Sequence, residues 1–94
     1  MATVYILHSS SIDFYYVGSC KDLDQRLLEH NSDAFKKGFT SRATDWEVYL
    51  RVDDLSYEQA RKMEIHIKKM KSRKYIENLY RYPEMLDKLK LRYL

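Results

Sequence analysis

The chain has 94 residues, a formal net charge of +3 and a single cysteine, Cys20. A chain of this length builds one modest core, so we expect residues 1–94 to form one domain. One cysteine excludes an internal disulfide and, with three scattered histidines, cannot build a structural zinc site. No apolar run reaches the roughly 20 residues of a membrane span, and residues 1–10 lack a secretion signal, so we expect a soluble, cytoplasmic protein.

The first two elements are short segments rich in aromatic and β-branched residues, at residues 3–8 and 13–18. The turn-like residues 9–12 separate them, which predicts a β-hairpin. If residue 8 faces residue 13 across this turn, Tyr5 falls opposite Tyr16. Opposed residues have Cβ atoms about 4.5 to 5.5 Å apart, so both phenols would address one ligand. A slip of one residue would place them on opposite faces.

A first helix is predicted from Asp22 to about Asn31. Asp22 followed by Gln25 is the pattern of a capping box at a helix start. Arg26 and His30 are four residues apart, so they project from one side of the helix. The predicted inward stripe consists of Leu23, Leu27 and Leu28.

Residues 32–45 are predicted to be a loop that leads to a strand over residues 46–52. Ser56 with Gln59 then predicts the start of a second helix. Glu64 lies about 40 degrees past Ala60 around that helix, at the edge of its apolar stripe, which places the carboxylate at the border between core and solvent. The stripe itself follows the three-and-four spacing of a buried face, at Ala60, Met63, Ile67 and Met70.

A basic run follows, with five cations in seven residues: Lys68, Lys69, Lys71, Arg73 and Lys74. Residues 1–47 hold five Lys/Arg against seven Asp/Glu, whereas residues 48–94 hold twelve against seven. The positive potential therefore lies in the second half of the chain. Ser72 is predicted to cap a short helix that runs to Leu79, and Pro83 to open a last helix. Its inward residues are predicted to be Met85, Leu86 and Leu89.

The segment Val4-Tyr5-Ile6, followed after nine residues by Tyr16-Val17-Gly18, resembles the two motifs of the GIY-YIG nuclease family. Valine replaces the first glycine and the second isoleucine. Residues 22–31 look like the family's first helix, and residues 60–64 like its second. The run over residues 68–79 is similar to the end of small, stand-alone bacterial members. The resemblance covers about residues 3–79 and leaves residues 80–94 as a C-terminal helical extension.

This resemblance implies an α/β fold, a three-stranded antiparallel sheet flanked by helices in the order β-β-α-β-α-α-α. It also implies divalent-metal-dependent hydrolysis of DNA phosphodiester bonds. We expect DNA, including branched or damaged DNA, as the binding partner. Carried over by position, it implies the site residues Tyr5, Tyr16, Gly18, Arg26, His30 and Glu64. Asn78 is a loose candidate for an asparagine that many relatives carry.

Each implied residue suits that chemistry. A lone Glu64 is enough to bind one Mg²⁺ or Mn²⁺ ion if DNA completes the coordination shell. Arg26 offers a planar donor fork for a phosphate. The family implies Tyr5 as general base with Tyr16 as its partner, whereas His30 would bind phosphate or relay a proton.

The remaining predicted residues would contact DNA outside the reacting group. Gly18, without a Cβ, would let the DNA backbone approach the strand. The five cations of the basic run would hold neighbouring phosphates, which carry little base information, so we expect low sequence specificity.

Each residue also has an ordinary structural interpretation. Tyr5 and Tyr16 would be half-buried strand aromatics, Arg26 a partner of Glu29, and Glu64 an i,i+4 partner of Lys68. Two other functions stay open. One is a non-catalytic nucleic-acid-binding module that acts through a partner protein. The other is a protein-interaction domain that uses the aromatic tail Tyr80, Tyr82 and Tyr93.

Overall fold

The computed structural model describes residues 1–31 and 43–94 of the chain. They form a three-stranded antiparallel sheet and four helices in the order β-β-α-β-α-α-α, which confirms the predicted α/β fold. The predicted loop over residues 32–45 lies largely outside the described residues. The elements are β1 (Ala2–Ser9), β2 (Phe14–Cys20), α1 (Leu23–Asn31), β3 (Trp46–Leu55), α2 (Tyr57–Met70), α3 (Arg73–Arg81) and α4 (Pro83–Arg92).

The strand order is β2-β1-β3, so β1 is central and β2 is an edge strand. Tyr5 pairs with Gly18, not with Tyr16, so the predicted register of the hairpin was wrong. At the turn, β1 ends one residue later than predicted, at Ser9, which donates a hydrogen bond to Asp45 Oδ1 at 2.6 Å, and β2 begins one residue later than predicted, at Phe14. The two shifts preserve the alternation of side chains. Tyr5 and Tyr16 therefore share one face of the sheet as diagonal rather than directly opposed neighbours.

Apolar side chains cover both faces of the sheet. On one face, residues of β1, β2 and β3 pack with buried residues of α2, α3 and α4, among them Ala60, Met63, Ile67, Leu79 and Leu89. The other face carries a smaller cluster formed by Tyr5, Leu7, Cys20, Leu23, Ala43 and Trp46. Burying each large side chain contributes roughly 1.5 to 3 kcal/mol, so the two clusters hold the strands and helices together.

The predicted helix starts are confirmed by their caps. Each cap side chain accepts a hydrogen bond from a backbone N–H three residues later, at 3.1 to 3.2 Å: Asp22, Ser56 and Ser72. Pro83 occupies the first turn of α4, as predicted. Lys71 adopts a left-handed conformation (φ 46°) and ends α2, so the basic run is divided between two helices.

Two residues that were predicted to point inward are exposed. Leu28 is 68% exposed, because Leu23 and Leu27 face the sheet and the next residue is turned by about 100 degrees. Met70 is 45% exposed, because it is the last residue of α2 before the chain turns away at Lys71. Strand β3 also continues to Leu55, beyond the predicted end at residue 52.

The last helix is tied to α2 by polar contacts. Gln59 Nε2 donates a hydrogen bond to the carbonyl oxygen of Lys90 at 3.0 Å. His66 Nδ1 lies 2.8 Å from the Tyr93 hydroxyl. Among the helices of residues 1–31 and 43–94, none combines the length and apolarity of a membrane span.

Candidate active site

The Tyr5 side chain on β1 lies over Gly18, its pairing partner on the neighbouring edge strand β2. The side chain is only 3% exposed, and its hydroxyl oxygen lies 3.1 Å from His30 Nε2. A Cβ built on Gly18 would fall 2.5 Å from that oxygen and 2.7 Å from Tyr5 Cζ. Glycine is therefore needed at position 18 to make room for the Tyr5 ring, in addition to any approach of DNA.

His30, near the end of α1, lies between the two tyrosines of the predicted motifs. Its ring centroid is 5.1 Å from that of Tyr16 and 6.1 Å from that of Tyr5. The next residue, Asn31, ties the helix end to β3 through two hydrogen bonds with the Trp46 backbone. Asn31 Nδ2 donates to the carbonyl oxygen at 3.0 Å, and Oδ1 accepts from the amide nitrogen at 2.7 Å. These two hydrogen bonds fix the end of α1 and so position the His30 imidazole beside Tyr5.

The Tyr5 and His30 side chains are both in their neutral forms at neutral pH. Burial raises the pKa of Tyr5, as do Tyr16, Cys20 and Glu64, against the opposing effect of Arg26. Burial also lowers the pKa of His30, and the positive charge of Arg26 lowers it further. A neutral imidazole has one protonated and one free nitrogen, so it can accept the hydroxyl proton at Nε2 in the appropriate tautomer.

Arg26 places a permanent positive charge near this pair. Its side chain is about half exposed, and its Nε lies 3.6 Å from Glu29 Oε2, so the expected surface ion pair is present. Such a pair contributes little to stability and leaves the guanidinium able to bind another anion. Arg26 and Ser19 line the same surface hollow of about 360 Å³.

Glu64 reaches the same region from α2 and is 6% exposed, which makes it more buried than its predicted border position. Its Oε1 accepts hydrogen bonds from Ser19 Oγ at 2.6 Å and Arg61 at 3.3 Å, and its Oε2 accepts from Lys68 Nζ at 2.6 Å. Burial by itself raises the pKa of Glu64, but the hydrogen bonds from Lys68 and Ser19 outweigh it, and the net pKa is lowered. The carboxylate is therefore ionised at neutral pH.

These groups lie on both sides of the edge strand β2 rather than on one face of the sheet. Tyr5 and Tyr16 lie on the face covered by α1, whereas α2 packs on the other face. On the α2 face, Ser19 bonds Glu64. Lys68, which bonds the same carboxylate, reaches around the strand to within 5.9 Å of the Tyr16 ring centroid. Burial raises the pKa of Tyr5 most, and the negative charge of Glu64 adds a smaller increase. A series of contacts thus connects Tyr5, His30, Tyr16, Lys68 and Glu64 around β2.

A divalent metal would have Glu64 as its protein ligand at this edge. Within residues 1–31 and 43–94, no three His, Cys, Asp or Glu side chains are grouped as a metal site. An ionised carboxylate still suits a hard ion whose shell is completed by water and phosphate oxygens. Lys68 and Arg61, which bond the carboxylate, are 48% and 50% exposed and have room to move aside. The donor set fits an ion of this kind.

The five cations of the basic run do not form one patch. Lys68, Lys71 and Arg73 line a groove beside β2. Lys74 lines a separate hollow together with Asn78, the loose candidate for a functional asparagine. Lys69 lies on α2 near His66, whose pKa is lowered by burial first and then by the positive charges of Arg92 and Lys69.

Three contributing residues were not predicted from the sequence: Ser19, Asn31 and Arg61. Ser19 and Arg61 bond Glu64, and Asn31 fixes the end of α1. The alternation of β2 places Ser19 on the face opposite Tyr16, but no sequence pattern shows which helix residue covers it.

The fold and the polar groups at the β2 edge define a small α/β domain of the nuclease type. The family model of the GIY-YIG catalytic domain matches residues 1–78, and the chain belongs to this family. Its members are generally divalent-metal-dependent nucleases that act on DNA. No curated protein and no solved structure matches the chain significantly.

Proposed function

We propose that the chain is a Mg²⁺- or Mn²⁺-dependent endonuclease that hydrolyses DNA phosphodiester bonds with low sequence specificity. The observation that carries this proposal is the contact of 3.1 Å between the Tyr5 hydroxyl and His30 Nε2, beside Arg26 and the ionised Glu64. The contact links Tyr5, which would accept a proton from the attacking water, to His30, which would accept a proton from Tyr5.

In the proposed reaction, Tyr5 accepts a proton from the attacking water as its own hydroxyl proton passes to His30 Nε2. The raised pKa of Tyr5 makes a free phenolate a rare species at neutral pH. A relay avoids this difficulty, because the phenol gains one proton as it loses another and the charge ends on the imidazole. Of the two roles considered for His30, the contact with Tyr5 favours the relay over phosphate binding.

Arg26 and Glu64 would act on the phosphate. The guanidinium would donate its paired N–H groups to the non-bridging oxygens, where negative charge grows during attack. Glu64 would hold the divalent ion, which, when bound, supplies positive charge for those oxygens and for the departing alkoxide. Tyr16, beside His30, would help place the water or the phosphate.

Metal binding would require Lys68 to leave Glu64 Oε2. Replacing Lys68 with methionine should therefore tighten Mn²⁺ binding in the absence of DNA, whereas Glu64→Gln should weaken it. Titration of free Mn²⁺ by electron paramagnetic resonance measures both effects without relying on cleavage. Equal Mn²⁺ affinity in Glu64→Gln and wild type would contradict the assignment of Glu64.

Low sequence specificity is proposed because the cations beside the site suit phosphates, which are the same in every sequence. Cleavage of a mixed set of duplexes should yield cuts spread over many positions. One strongly preferred duplex sequence would contradict this part of the proposal.

The alternative, a non-catalytic nucleic-acid-binding module that acts through a partner protein, is favoured by one observation. Both oxygens of Glu64 are bonded within the protein and Tyr5 is almost fully buried. Such a module would bind DNA with the salt dependence of phosphate contacts but would not cut it.

Nicking of supercoiled plasmid separates the two functions. We expect wild type to nick in Mg²⁺ or Mn²⁺ and Glu64→Gln and Arg26→Ala to lose about 100-fold or more while retaining binding. Glu58→Gln is the matched control, because Glu58 forms a similar i,i+4 pair on α2, with Lys62 at 3.2 Å. Equal nicking by all variants would indicate a contaminant and refute the proposal. DNA binding without any nicking by wild type would favour the module.

A further inference from the structure

A groove of about 540 Å³ runs along the outer edge of β2, between this strand and the junction of α2 with α3. Its lining is mostly apolar, with Val17 and Ile67 buried and Ile76 partly buried. Phe14, which is 45% exposed, and the half-buried Tyr16 add two aromatic rings from β2. The groove therefore offers apolar and aromatic surface for a flat ligand.

The groove is also bordered by positive charge. Lys68, Lys71 and Arg73 line it together with Asp13, whose carboxylate pairs with Arg73 at 2.6 Å. Lys68 pairs with Glu64, and within residues 1–31 and 43–94 the Lys71 side chain has no ion-pair partner. Lys68 Nζ lies 5.9 Å from the Tyr16 ring centroid and Arg73 Cζ 5.3 Å from that of Tyr15. An aromatic ligand that carries negative charge complements this combination of rings and cations.

The groove is continuous with the candidate active site. Lys68 lines the groove and also bonds Glu64 at 2.6 Å, and Tyr16 lies against both the groove and His30. A chain of phosphates that enters the site would therefore pass along the groove. This continuity favours a nucleotide over an unconnected acidic ligand such as a peptide.

We propose that this groove binds an unpaired nucleobase of the DNA strand, one that is adjacent to the phosphate held at the β2 edge. A base within a duplex is stacked on both faces, so only an unpaired base can lie against Phe14 and Tyr16. The proposal rests on the proposed nuclease function for its cleavage step. It names the substrate class as DNA with an unpaired nucleotide next to the bond that is cut.

The test compares three fluorescent DNA hairpins by anisotropy in EDTA. One has a three-nucleotide single-stranded overhang, one has the same overhang made of abasic residues, and one is blunt. The two overhangs carry the same phosphates, so their difference reports on the bases. We expect the base-containing overhang to bind at least about fivefold more tightly than the abasic one, as is typical of a stacked base.

Two variants test whether the preference for the base-containing overhang arises in the groove. Phe14→Ala should remove most of the preference for bases, whereas Tyr82→Ala should retain it. Tyr82 is a matched control, because it is an aromatic residue of nearly equal exposure, 43% against 45%, and does not line the groove. A preference unchanged in Phe14→Ala would overturn the assignment of the groove. Thermal unfolding of both variants shows whether they are folded.

The comparison of wild-type binding is decisive even if a variant fails to fold. Equal affinity for the base-containing and abasic overhangs would overturn the proposal. So would displacement of the overhang by an acidic Glu-Tyr copolymer at lower concentration than by the same unlabelled DNA. Because binding is measured without metal, a failure of the nuclease function would appear as absent cleavage with the base preference intact.

Discussion

Replacing Gly18 with alanine perturbs the contact that positions Tyr5. The added Cβ would lie 2.5 Å from the hydroxyl oxygen, 2.7 Å from Cζ and 3.2 Å from Cε1, whereas ordinary contacts begin near 3.4 Å. The Tyr5 ring would have to withdraw by about 1 Å, which breaks its contact with His30. Overpacking of this kind costs about 1 to 3 kcal/mol of unfolding free energy. A displacement near 1 Å can slow a reaction about 100-fold.

A double-mutant cycle with Tyr5→Leu isolates this contact. Leucine lacks the three Tyr5 atoms that would meet the new Cβ, so Gly18→Ala should cost nothing in that background. It should even stabilise the strand by about 0.5 to 1 kcal/mol, because glycine is more flexible when unfolded. Urea unfolding of the four proteins measures the coupling free energy, which we expect to be at least about 1 kcal/mol.

The matching functional assay is metal-dependent nicking by Gly18→Ala. We expect the nicking rate to fall by about 100-fold while DNA binding persists. An equal cost of Gly18→Ala in the wild-type and Tyr5→Leu backgrounds would refute the steric reasoning. So would wild-type nicking by the Gly18→Ala protein.

Three further predictions concern Glu64, His30 and Asn31. The pKa of Glu64 in the folded state lies below its ordinary value of 4.5, so its stabilising effect is present above pH 4.5 and is lost as the pH falls through the lowered pKa. Glu64→Gln should lower the unfolding free energy by about 1 to 3 kcal/mol at pH 7, and acid titration should show this difference shrinking below pH 4.5. The pKa of His30 should lie below 6.5 by NMR titration, and the cleavage rate should fall when the imidazole becomes protonated. Asn31→Ala should lose about 1 to 3 kcal/mol in urea unfolding, because the backbone groups of Trp46 lose two hydrogen bonds.

Matched variants give these predictions their controls. Glu58→Gln changes an exposed pair on the same helix and should lose less stability at pH 7 than Glu64→Gln. Asn78→Ala changes an asparagine on α3, away from the hydrogen bonds between Asn31 and Trp46, and should lose less stability than Asn31→Ala. An NMR midpoint for His30 at or above 6.5 would contradict its assignment as a buried neutral acceptor.

Much of the fold could be predicted because it follows from local patterns. Segments rich in aromatic and β-branched residues indicate the first two strands, and Asp22, Ser56 and Ser72 mark the helix starts through their caps. The hairpin register could not be predicted, because the turn residues do not specify where pairing begins and contacts at the turn, such as Ser9 with Asp45, join residues 36 apart in sequence. The predicted register still placed Tyr5 and Tyr16 on one face, because the observed pairing differs from the predicted pairing by two residues, which is one full period of the strand.

The site was predictable in its residue types but not in its contacts. The family motifs indicated Tyr5 and Glu64, whereas the role of Gly18 in accommodating the Tyr5 ring depends on diagonal packing between two strands. The bonding of Glu64 to Ser19 depends on how α2 packs against β2, which no periodicity specifies.

The most direct measurement of the central claim is the single-turnover cleavage rate of labelled DNA in Mg²⁺ by Tyr5→Phe. The matched control is Tyr49→Phe, which removes a partly buried hydroxyl from a tyrosine that packs with Tyr15 and Tyr80. Burial raises the pKa of Tyr49 to about 12, so it too is a neutral phenol at neutral pH. We predict that Tyr5→Phe slows cleavage by about 10² to 10⁴-fold, as loss of a general base does, and that Tyr49→Phe cleaves like wild type. Cleavage by Tyr5→Phe at the rate of Tyr49→Phe would contradict the account.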